Sequence, residues 1–403
     1  MTAPLEGVKI LDLSRVLAGP WCTQLLADLG ATVIKVERPG EGDDTRSWGP
    51  PWQVSAVTPG LRMSSYFMSA NRGKRSVAID IAKPEGAALV RELAADCDVL
   101  VENFKVGGLA KYGLAYGDMA ALNPRLIYCS ITGFGQDGPY AERPGYDFII
   151  QGIGGLMGVT GVPDGEPMRA GVALTDIMTG MYAVNGILAA LLHRARTGQG
   201  QQIDIALLDV QVAAMANQAL YFLATGKNPD RHGNAHASIV PYQAFATRNG
   251  DITIAGGNDG QFRRLCYVLR EPGLADDPRY ATNAARVANR EVLIAHLQHL
   301  FATWDQVALL SALEAAGVPA GPINTLQQVF ADPQVRHRGM AFSQFSSSMG
   351  ELPAVRCPLR FSEAEVGAAL PPPVLGADTD SVLARRGIDH AHLTSLRERG
   401  VIA

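Results

Sequence analysis

Apolar segments of strand length alternate with helical segments along the first half of the chain, and this alternation limits the fold more than any other feature. Strands are predicted at residues 8–13, 31–37, 76–81, 99–104 and 126–132, with helices at 21–29, 84–95 and 117–121. A last strand and a helix are predicted over residues 201–224. Strand–helix–strand units at this spacing pair their strands in parallel and cover the sheet with helices. The sequence therefore predicts an α/β fold with a Rossmann-like large domain.

The pattern changes after Gly226, and the change predicts a second domain. Two strand-like runs flank Asn249-Gly250, which is a strong signal for a β-hairpin. The runs cover residues 242–248 and 251–255, and helices are predicted at 261–270, 290–303 and 304–316. The predicted organisation is a large domain at 1–200, a linker at 201–226, a small α+β domain at 227–325, and a return to the large domain at 326–403 with a helix at 378–386.

Composition argues against several classes of protein. At 403 residues the chain is long enough for two domains, and its 47% of hydrophobic residues are typical of a folded protein. The net charge of −4, without a cluster of Lys and Arg, argues against nucleic-acid binding. The five cysteines have no CxxC spacing, which predicts free thiols and no zinc site. No leader and no apolar run of membrane-spanning length were found, so we expect a soluble cytoplasmic protein that does not bind membranes.

The first strand and the loop after it suit a nucleotide but lack the glycine pattern of a dinucleotide site. In such a site the loop reads GxGxxG and an acid ends the second strand. Here Glu37 supplies the acid, but Leu17-Ala18-Gly19-Pro20 supplies a single glycine. Arg38 offers a planar cation for a phosphate or an adenine ring. A plain strand end with solvated charges explains Glu37 and Arg38 equally well.

Asp176 is an ionisable residue in a stretch of small and apolar residues, 171–180, that continues as a helical pattern to residue 192. Aspartates are common at helix starts, where they accept hydrogen bonds from free N–H groups and interact favourably with the helix dipole. Taken alone, this stretch favours such a capping role by about two to one. A catalytic carboxylate is the alternative.

Several segments together resemble the family III CoA-transferases, also called the CaiB/BaiF family, nearly end to end. The segments are LDLSRVLAGP (11–20), GATVIKVERPG (30–40), NRGKRSVAIDI (71–81), DVLVENF (98–104), RPGYD (143–147), GVALTDIMTGMYAVNGILAALLHRARTGQGQ (171–201), GVPAGP (317–322) and PVLG (373–376). Residues 236–245 look most like those of members that use dicarboxylates such as succinate, glutarate or itaconate.

This resemblance implies an activity, a site and an assembly. Asp176 holds the position of the family's nucleophilic aspartate, which moves CoA from a donor, here succinyl-CoA, to a carboxylic acid acceptor, here a dicarboxylate. Coenzyme A is then part of a substrate, with no tightly bound cofactor and no metal. The residues implied to bind CoA are Arg15, Leu17, Ala18, Arg38, Ile79, Asp80, Ile81, Ala82, Asn103, Phe104, Lys105, Lys111, Pro144, Gly145, Tyr146 and Asp147. The family fold is an interlocked, ring-shaped homodimer.

The chemistry of thioester exchange agrees with a carboxylate nucleophile. A carboxylate can accept an acyl group as a mixed anhydride and then hold CoA as an aspartyl thioester. An ordinary aspartate is already ionised near neutral pH, so we expect Asp176 to need no activating base. Both intermediates hydrolyse, and a site that excludes water therefore suits an aspartate in an apolar stretch.

The family also contains racemases and isomerases, and two positions argue against that activity here. Those enzymes move a proton with a histidine in a GHD-like triplet, where this chain has Gly145-Tyr146-Asp147. Tyrosine is a poor proton shuttle near neutrality, and Gln243, in place of a glutamate, cannot titrate. A non-catalytic CoA-binding protein is disfavoured by the intact motif around Asp176. A nicotinamide-dependent oxidoreductase is disfavoured by the missing glycine pattern.

Three positions, Arg169, His236 and Asp147, have both a functional and a structural interpretation. Arg169 and His236 are, with Tyr146, candidate substrate contacts, since a guanidinium can bind a distal carboxylate through two hydrogen bonds. A salt bridge for Arg169 and a turn for His236 are at least as good explanations. Asp147 is predicted to support the local backbone.

One loop departs from the family pattern, and one pair of cations has two interpretations. A flexible four-glycine loop, present in the member that uses formyl-CoA, is absent, and Gly233-Asn234-Ala235-His236 lies in roughly that region. Lys74 and Arg75 are predicted to be two adjacent solvated cations, with binding of CoA phosphates as the alternative.

Overall fold

The computed structural model describes residues 2–403, so the first residue of the predicted large domain lies outside it. The strands are β1 (Lys9–Asp12), β2 (Thr32–Glu37), β3 (Trp52–Val54), β4 (Arg62–Ser64), β5 (Lys74–Ala78), β6 (Val99–Glu102), β7 (Ile127–Thr132), β8 (Gln201–Ala206), β9 (Tyr242–Ala246), β10 (Asp251–Ala255), β11 (Ala320–Pro322), β12 (Ala341–Ser346) and β13 (Gly350–Val355).

The helices share the same chain order. They are α1 (Ala18–Asp28), α2 (Ser65–Asn71), α3 (Pro84–Ala95), α4 (Tyr116–Leu122), α5 (Asp147–Ile153), α6 (Leu156–Val159), α7 (Leu174–Thr197), α8 (Leu207–Ala214), α9 (Ala216–Thr225), α10 (Asp259–Val268), α11 (Asn283–Ala288), α12 (Arg290–Ala302), α13 (Gln306–Ala315), α14 (Leu326–Ala331), α15 (Pro333–His337), α16 (Thr379–Ala384) and α17 (His390–Glu398). Short 3-10 helices lie at Asp44–Ser47, Ala110–Tyr112 and Pro272–Ala275.

Six strands form one parallel sheet in the order β5-β2-β1-β6-β7-β8. Counted along the chain, this is the order 3-2-1-4-5-6 of doubly wound nucleotide-binding sheets. The predicted α/β fold with a parallel sheet is thereby confirmed. Because the winding reverses between β1 and β6, the loops after these two strands diverge and leave a crevice at their carboxyl ends.

The sheet is buried on both faces because successive residues of a strand point to opposite sides. On β1, Ile10 packs in a core with α1 and α7, while Leu11 packs with α3, α4, α16 and α17. Neither side chain is exposed, and each contributes roughly 1.5–3 kcal/mol by burial. The loops at the carboxyl edge therefore start from a rigid frame.

Lys74 corrects a sequence prediction, because it is completely buried instead of solvated. Its Nζ donates to Asp12 Oδ2 at 3.0 Å, to Asn71 Oδ1 at 2.9 Å and to the Pro20 carbonyl at 3.0 Å. Burial lowers the pKa of Lys74 to about 8, although Asp12 opposes that change. Arg75, the next residue of β5, points to the other face and lies 3.6 Å from Asp378. Strand alternation separated two cations that look like a pair in the sequence.

The prediction of a single helix over residues 208–224 is wrong in one respect. The segment forms two helices, α8 and α9, which meet at a bend of 76°. Ala216, the first residue of α9, has a φ of 43°, a left-handed conformation that interrupts the helix. Nothing in the composition of this alanine-rich stretch signals the break.

By length and composition, α7 is long and apolar enough to cross a membrane. Helices α8 and α9 meet the same criterion only if the bent pair is taken together as one broken span. The sequence expectation that no such run exists is therefore wrong for α7. One face of α7 is buried, with Thr179, Ala183, Ile187 and Ala190 at helical spacing. That face packs on the parallel sheet.

A second compact unit comprises Met157–Met168 and Gly226–Pro333. Its sheet, in the order β11-β10-β9, is antiparallel, and the β9–β10 pair confirms the hairpin predicted at Asn249-Gly250. The sequence analysis assigned Met157–Met168 to the large domain. In the structure the N–H of Gly233 donates to the carbonyl of Gly161 at 2.9 Å, a contact between residues far apart in sequence that no local pattern predicts.

Candidate active site

A cavity of about 530 Å³ opens where the loops after β1, β6 and β7 leave the sheet. This is the crevice at which the winding of the sheet reverses, the usual ligand position in such folds. Predicted residues that line the cavity are Arg15, Leu17, Ala18, Asn103, Phe104, Lys105, Pro144, Gly145, Tyr146 and Asp176. The fold thus gathers segments that lie far apart in the sequence around one carboxyl group.

The other predicted CoA contacts lie outside the lining of this cavity. They are Arg38, Ile79, Asp80, Ile81, Ala82, Lys111 and Asp147. Ile79 is buried and forms a β-bridge with Ile402. Arg38 is exposed and pairs with Glu41 at 3.0 Å, while Lys111 lies over the ring of Tyr112. A role in binding the distal part of CoA stays a prediction for these residues.

Asp176 is the third residue of α7, and a neighbouring carboxylate caps this helix. Asp147, the first residue of α5, accepts hydrogen bonds on Oδ1 from the N–H of Thr175 at 2.9 Å and of Asp176 at 3.3 Å. The capping role considered for Asp176 is therefore filled by Asp147. Asp176 is left free to present its side chain to the cavity.

Three further hydrogen bonds fix the start of α7. Asp147 Oδ2 accepts from Gln151 Nε2 at 2.7 Å, and Gln151 Oε1 accepts from the N–H of Ala170 at 2.9 Å. The hydroxyl of Thr175 donates to Gln211 Oε1 on α8 at 2.6 Å. Helices α5, α7 and α8 are thereby joined at the level of Asp176, which limits the movement of its backbone.

The surroundings of Asp176 resist its ionisation. Burial, and then the negative charge of Asp147, raises the pKa of Asp176 from 3.8 to about 7. This raised pKa runs against the expectation of an ordinary aspartate that is fully ionised at neutral pH. The sequence showed an apolar setting, but it did not show that a second carboxylate would lie beside it.

Two backbone arrangements shape the floor of the cavity. Asn103 accepts from the N–H of Arg15 at 2.8 Å and donates to its carbonyl at 2.7 Å, which joins the loops after β1 and β6. Gly133, just after β7, packs directly on Gly145, so that a Cβ on Gly145 would lie 2.3 Å from the Cα of Gly133. Only glycine allows two backbones to approach so closely.

Cationic side chains lie around the cavity. Arg15 approaches Asp44 at 3.1 Å and lies over the ring of Phe104. Arg143 stacks on Tyr140 with 3.8 Å between its guanidinium carbon and the ring centroid, and Lys105 is a third cation in the lining. Such groups suit the diphosphate and the 3′-phosphate of CoA.

A second cavity, of about 540 Å³, shares Trp48 with the first and is also lined by Tyr66. The two rings meet edge to face at 5.1 Å. Burial, and then the charge of Asp176, raises the pKa of Tyr66 to about 12. Its hydroxyl therefore keeps its proton and can donate a hydrogen bond in the neighbourhood of Asp176.

Sequence reasoning missed part of the lining. The residues it missed are Val16, Asp44, Trp48, Val106, Ile131, Thr132, Gly133, Ala141, Glu142, Arg143 and Leu207. The end of the predicted strand at Thr132 was a usable signal, because ligands bind at the carboxyl ends of parallel strands. Trp48 follows a 3-10 helix far from any strand end and gave no such signal.

The two remaining substrate candidates, Arg169 and His236, lie outside the lining of both cavities. Arg169 is exposed in the loop before α7. His236, in the second compact unit, donates its backbone N–H to the Tyr242 carbonyl at 2.9 Å, and its Nδ1 accepts from the N–H of Ser238 at 3.0 Å. A substrate role for either stays a prediction.

Within the described part of the chain, no group of three or more His, Cys, Asp or Glu side chains is arranged to hold a metal ion. All five cysteines are free and buried. Burial raises the pKa of Cys97 and of Cys266 to about 12, so neither thiol is poised to act as a nucleophile.

Similarity to known proteins extends over most of the chain. The sequence profile of CoA-transferase family III matches residues 5–379. A protein of Agrobacterium fabrum named succinate–glutarate CoA-transferase is 52% identical, over 94% of this chain and 95% of its own. A mouse protein named succinyl-CoA:glutarate CoA-transferase is 48% identical, over 94% of this chain and 86% of its own. The crystal structure of a CaiB/BaiF family protein from Brucella suis superimposes with a TM-score of 0.87 at 52% identity, covering 96% of this chain and all of that one.

Proposed function

The chain belongs to CoA-transferase family III and is a CoA-transferase, and on this premise we propose that Asp176 is the residue that carries CoA between two acids. One observation carries the proposal: the Asp176 carboxyl lies in a cavity at the point where the sheet reverses, on a helix start that another carboxylate already caps. Because Asp147 caps the helix, the Asp176 carboxyl is available to react with a substrate in the cavity.

The proposed reaction proceeds in four balanced steps. The Asp176 carboxylate attacks the donor thioester carbonyl, which forms a mixed anhydride and releases the CoA thiolate. The thiolate attacks the aspartyl carbonyl of the anhydride, which forms an aspartyl-CoA thioester and releases the donor acid. The acceptor carboxylate then attacks this thioester, giving a second anhydride and the thiolate again. Attack of the thiolate on the acceptor carbonyl yields the new acyl-CoA and restores Asp176.

The raised pKa of Asp176 fits this sequence of steps. Attack requires the ionised carboxylate, and desolvation in the cavity makes that carboxylate less stable and more reactive than it would be in water. The same burial protects the anhydride and the thioester from hydrolysis. Close backbone approach at Gly133 and Gly145 lets main-chain groups surround the reacting carbonyl.

We assign the CoA moiety to the cavity and its cationic rim. Arg15, Lys105 and Arg143 lie in the lining and can neutralise phosphate groups. Phe104 offers an aromatic face beside Arg15 for the adenine ring. Tyr146, which is 59% exposed, is well placed for contacts with the acyl part of the thioester.

The proposed donor is succinyl-CoA and the proposed acceptor is a dicarboxylic acid, with glutarate the first to test. The names of the A. fabrum and mouse relatives, at 52% and 48% identity, support this choice. Of the described residues that line the cavity, none is a histidine, so no titratable imidazole is at hand for the racemase alternative.

The proposed assembly is a homodimer, interlocked as the family resemblance implies. Helix α9 has no buried residue, although it carries Leu220, Tyr221, Phe222 and Leu223, each of them at least 46% exposed. Apolar surface of this kind is seldom left in contact with water and marks an interface. A second copy of the chain would cover it.

Trapping with hydroxylamine during turnover tests the role of Asp176 directly. With succinyl-CoA present, hydroxylamine should convert the activated side chain to a hydroxamate, and peptide mass spectrometry should find that change at Asp176 alone. Turnover of Asp176→Ala should fall by orders of magnitude while the protein still binds CoA in a calorimetric titration.

Asp118→Asn is the matched control. Asp118 also occupies the third position of its helix, α4, but lies outside both cavities, so this variant should keep wild-type turnover. Near-normal rates in Asp176→Ala, or labelling at a different residue, would refute the proposal. A panel of acceptors with succinyl-CoA, namely glutarate, itaconate, mesaconate, malate, citramalate, oxalate and carnitine, tests the substrate assignment separately.

A further inference from the structure

Val16 lines the cavity with a strained backbone. Its φ is 70°, in the left-handed region that β-branched residues rarely enter. A residue stays in such a conformation only when its surroundings force it to. Because α1 begins two residues later, at Ala18, the conformation of Val16 sets the path of the chain from β1 into that helix.

A buried ion pair holds the chain on both sides of Arg15. Lys35, on β2, donates from Nζ to the carbonyl of Ser14 at 2.7 Å. Asp43, after β2, accepts on Oδ1 from the N–H of Val16 at 3.3 Å. The Lys35 Nζ lies 2.9 Å from Asp43 Oδ2, and both side chains are completely buried. With Arg15 itself bound by Asn103, three successive residues have polar backbone groups fixed by side chains.

Stability is a poor explanation for this pair. Removing two charges from water is costly, and an apolar pair of similar volume often serves the folded state equally well. Asp43 Oδ2 accepts no hydrogen bond of sound geometry from a described residue, so the ammonium of Lys35 is its main compensation. Burial opposes the charge on Lys35, but Asp43, Asp12 and Glu37 outweigh it and raise the pKa of Lys35, so the ammonium stays charged.

We propose that Lys35 and Asp43 are positioning residues for CoA transfer, which hold Val16 in its left-handed conformation and so fix the wall of the cavity that Val16 shares with Asp176. They touch neither substrate nor the reacting atoms and act through the backbone. The inference rests on the proposed role of Asp176, because the wall matters only if the reaction takes place there.

Removal of both charges at once tests the role without leaving a buried charge unpaired. In Lys35→Met/Asp43→Leu, Val16 is free to relax to a negative φ and the wall shifts. We expect kcat for CoA transfer to fall about 10- to 100-fold, the size of effect that a displacement of about 1 Å can cause. The KM for succinyl-CoA should change less than about threefold, because the loss concerns the transition state.

Substitutions of Val16 separate backbone strain from a general loss of packing. Glycine adopts a φ of 70° without a steric penalty, so Val16→Gly should keep the native path even without the ion pair. Removal of the ion pair should therefore lower kcat much less in the Val16→Gly variant than in the protein with its native valine. We expect the factor by which kcat falls to be at least about ten times smaller. Val16→Ala is the matched control, because it shortens the side chain but keeps the strain, and in it pair removal should cost as much as it does with valine.

Three outcomes would overturn the inference. They are an unchanged kcat after pair removal, the same loss in all three backgrounds, and equal rescue by alanine and glycine. If circular dichroism shows that Lys35→Met/Asp43→Leu is unfolded, the amide pair Lys35→Gln/Asp43→Asn replaces it in the same cycle, with the same order of effects expected. Asp176→Ala separates a failure of the proposed function from a failure of this inference. If Asp176→Ala is active, the proposed function is wrong. If it is inactive but the loss on pair removal does not depend on residue 16, only the role of Lys35 and Asp43 is wrong.

Discussion

At the scale of single residues, the partly protonated Asp176 predicts a pH dependence for catalysis. Burial and Asp147 raise its pKa to about 7, and only the ionised form attacks. We expect kcat/KM for succinyl-CoA to rise with pH and to level off above about pH 8, with a midpoint near the pKa of the free enzyme. Initial rates between about pH 5 and 9 at low substrate measure this profile.

Asp147→Asn tests the cause of that midpoint. The amide oxygen can still accept the N–H groups of Thr175 and Asp176, but the negative charge is gone. Without a like charge beside it, Asp176 should ionise at lower pH, so the midpoint should move down. A midpoint that stays in place, or one that moves up, would contradict the part assigned to Asp147.

The same pKa predicts that catalysis is obtained at a cost in stability. The folded pKa of Asp176, about 7, lies above the unfolded value of 3.8, so the folded protein holds this proton more tightly. Stability from this residue is therefore complete below about pH 4 and is lost as the pH rises to about 7. Asp176→Asn should raise the free energy of unfolding at about pH 8 by up to roughly 4 kcal/mol, with little gain at about pH 4. Thermal denaturation at both pH values measures it, and melting temperatures equal to wild type at the higher pH would contradict it.

At the scale of helices and strands, periodic patterns predicted most elements of the parallel sheet, because burial on one or both faces leaves a direct mark on the sequence. Helix α3 begins and ends at the predicted residues, Pro84 and Ala95. The start of α7 before Asp176 was also predicted. The bend at Ala216 was not, because no residue type in this alanine-rich stretch signals the left-handed conformation that breaks the helix.

The family resemblance, and not strand position, supplied the site residues that follow strands. Arg15 and Asn103, which lie after β1 and β6, were implied by it, and both line the cavity. Trp48 and Tyr66 reach the site from the segment around β3 and β4, which carries no periodic signal. Lys74 was misread because burial, which the sequence of one strand does not reveal, decides whether a cation is paired or solvated.

The close contact between the backbones of Gly133 and Gly145 predicts that a single added methyl group weakens substrate binding. In Gly145→Ala, the new Cβ would lie 2.3 Å from the Cα of Gly133, so the segment that carries Tyr146 has to move away from β7. We expect the KM for succinyl-CoA to rise about tenfold, the equivalent of about 1.4 kcal/mol. Gly117→Ala, in α4 with open space around its Cβ, is the matched control and should leave KM unchanged. An equal KM in the two variants would contradict the prediction.

At the scale of the whole molecule, the exposed apolar face of α9 predicts an oligomer that one charge can disrupt. Leu223→Asp, at a position 75% exposed in the single chain, should shift the proposed dimer towards monomer. Val307→Asp, at a position 68% exposed on α13, is the control and should leave the dimer intact. Sedimentation velocity at micromolar concentration separates the two species. A wild-type protein that sediments as a monomer would exclude the assembly.

Main-chain atoms form the floor of the cavity. There the backbones of Gly133 and Gly145 are in contact, and the Asn103 side chain forms hydrogen bonds with the N–H and the carbonyl of Arg15. A substitution at Gly133, Gly145 or Asn103 would displace this main chain, whereas a substitution at the rim of the cavity leaves it in place. A laboratory selection for turnover of new acids should accordingly accumulate changes at rim positions such as Trp48, Arg143 and Tyr146. Gly133 and Gly145 should stay unchanged.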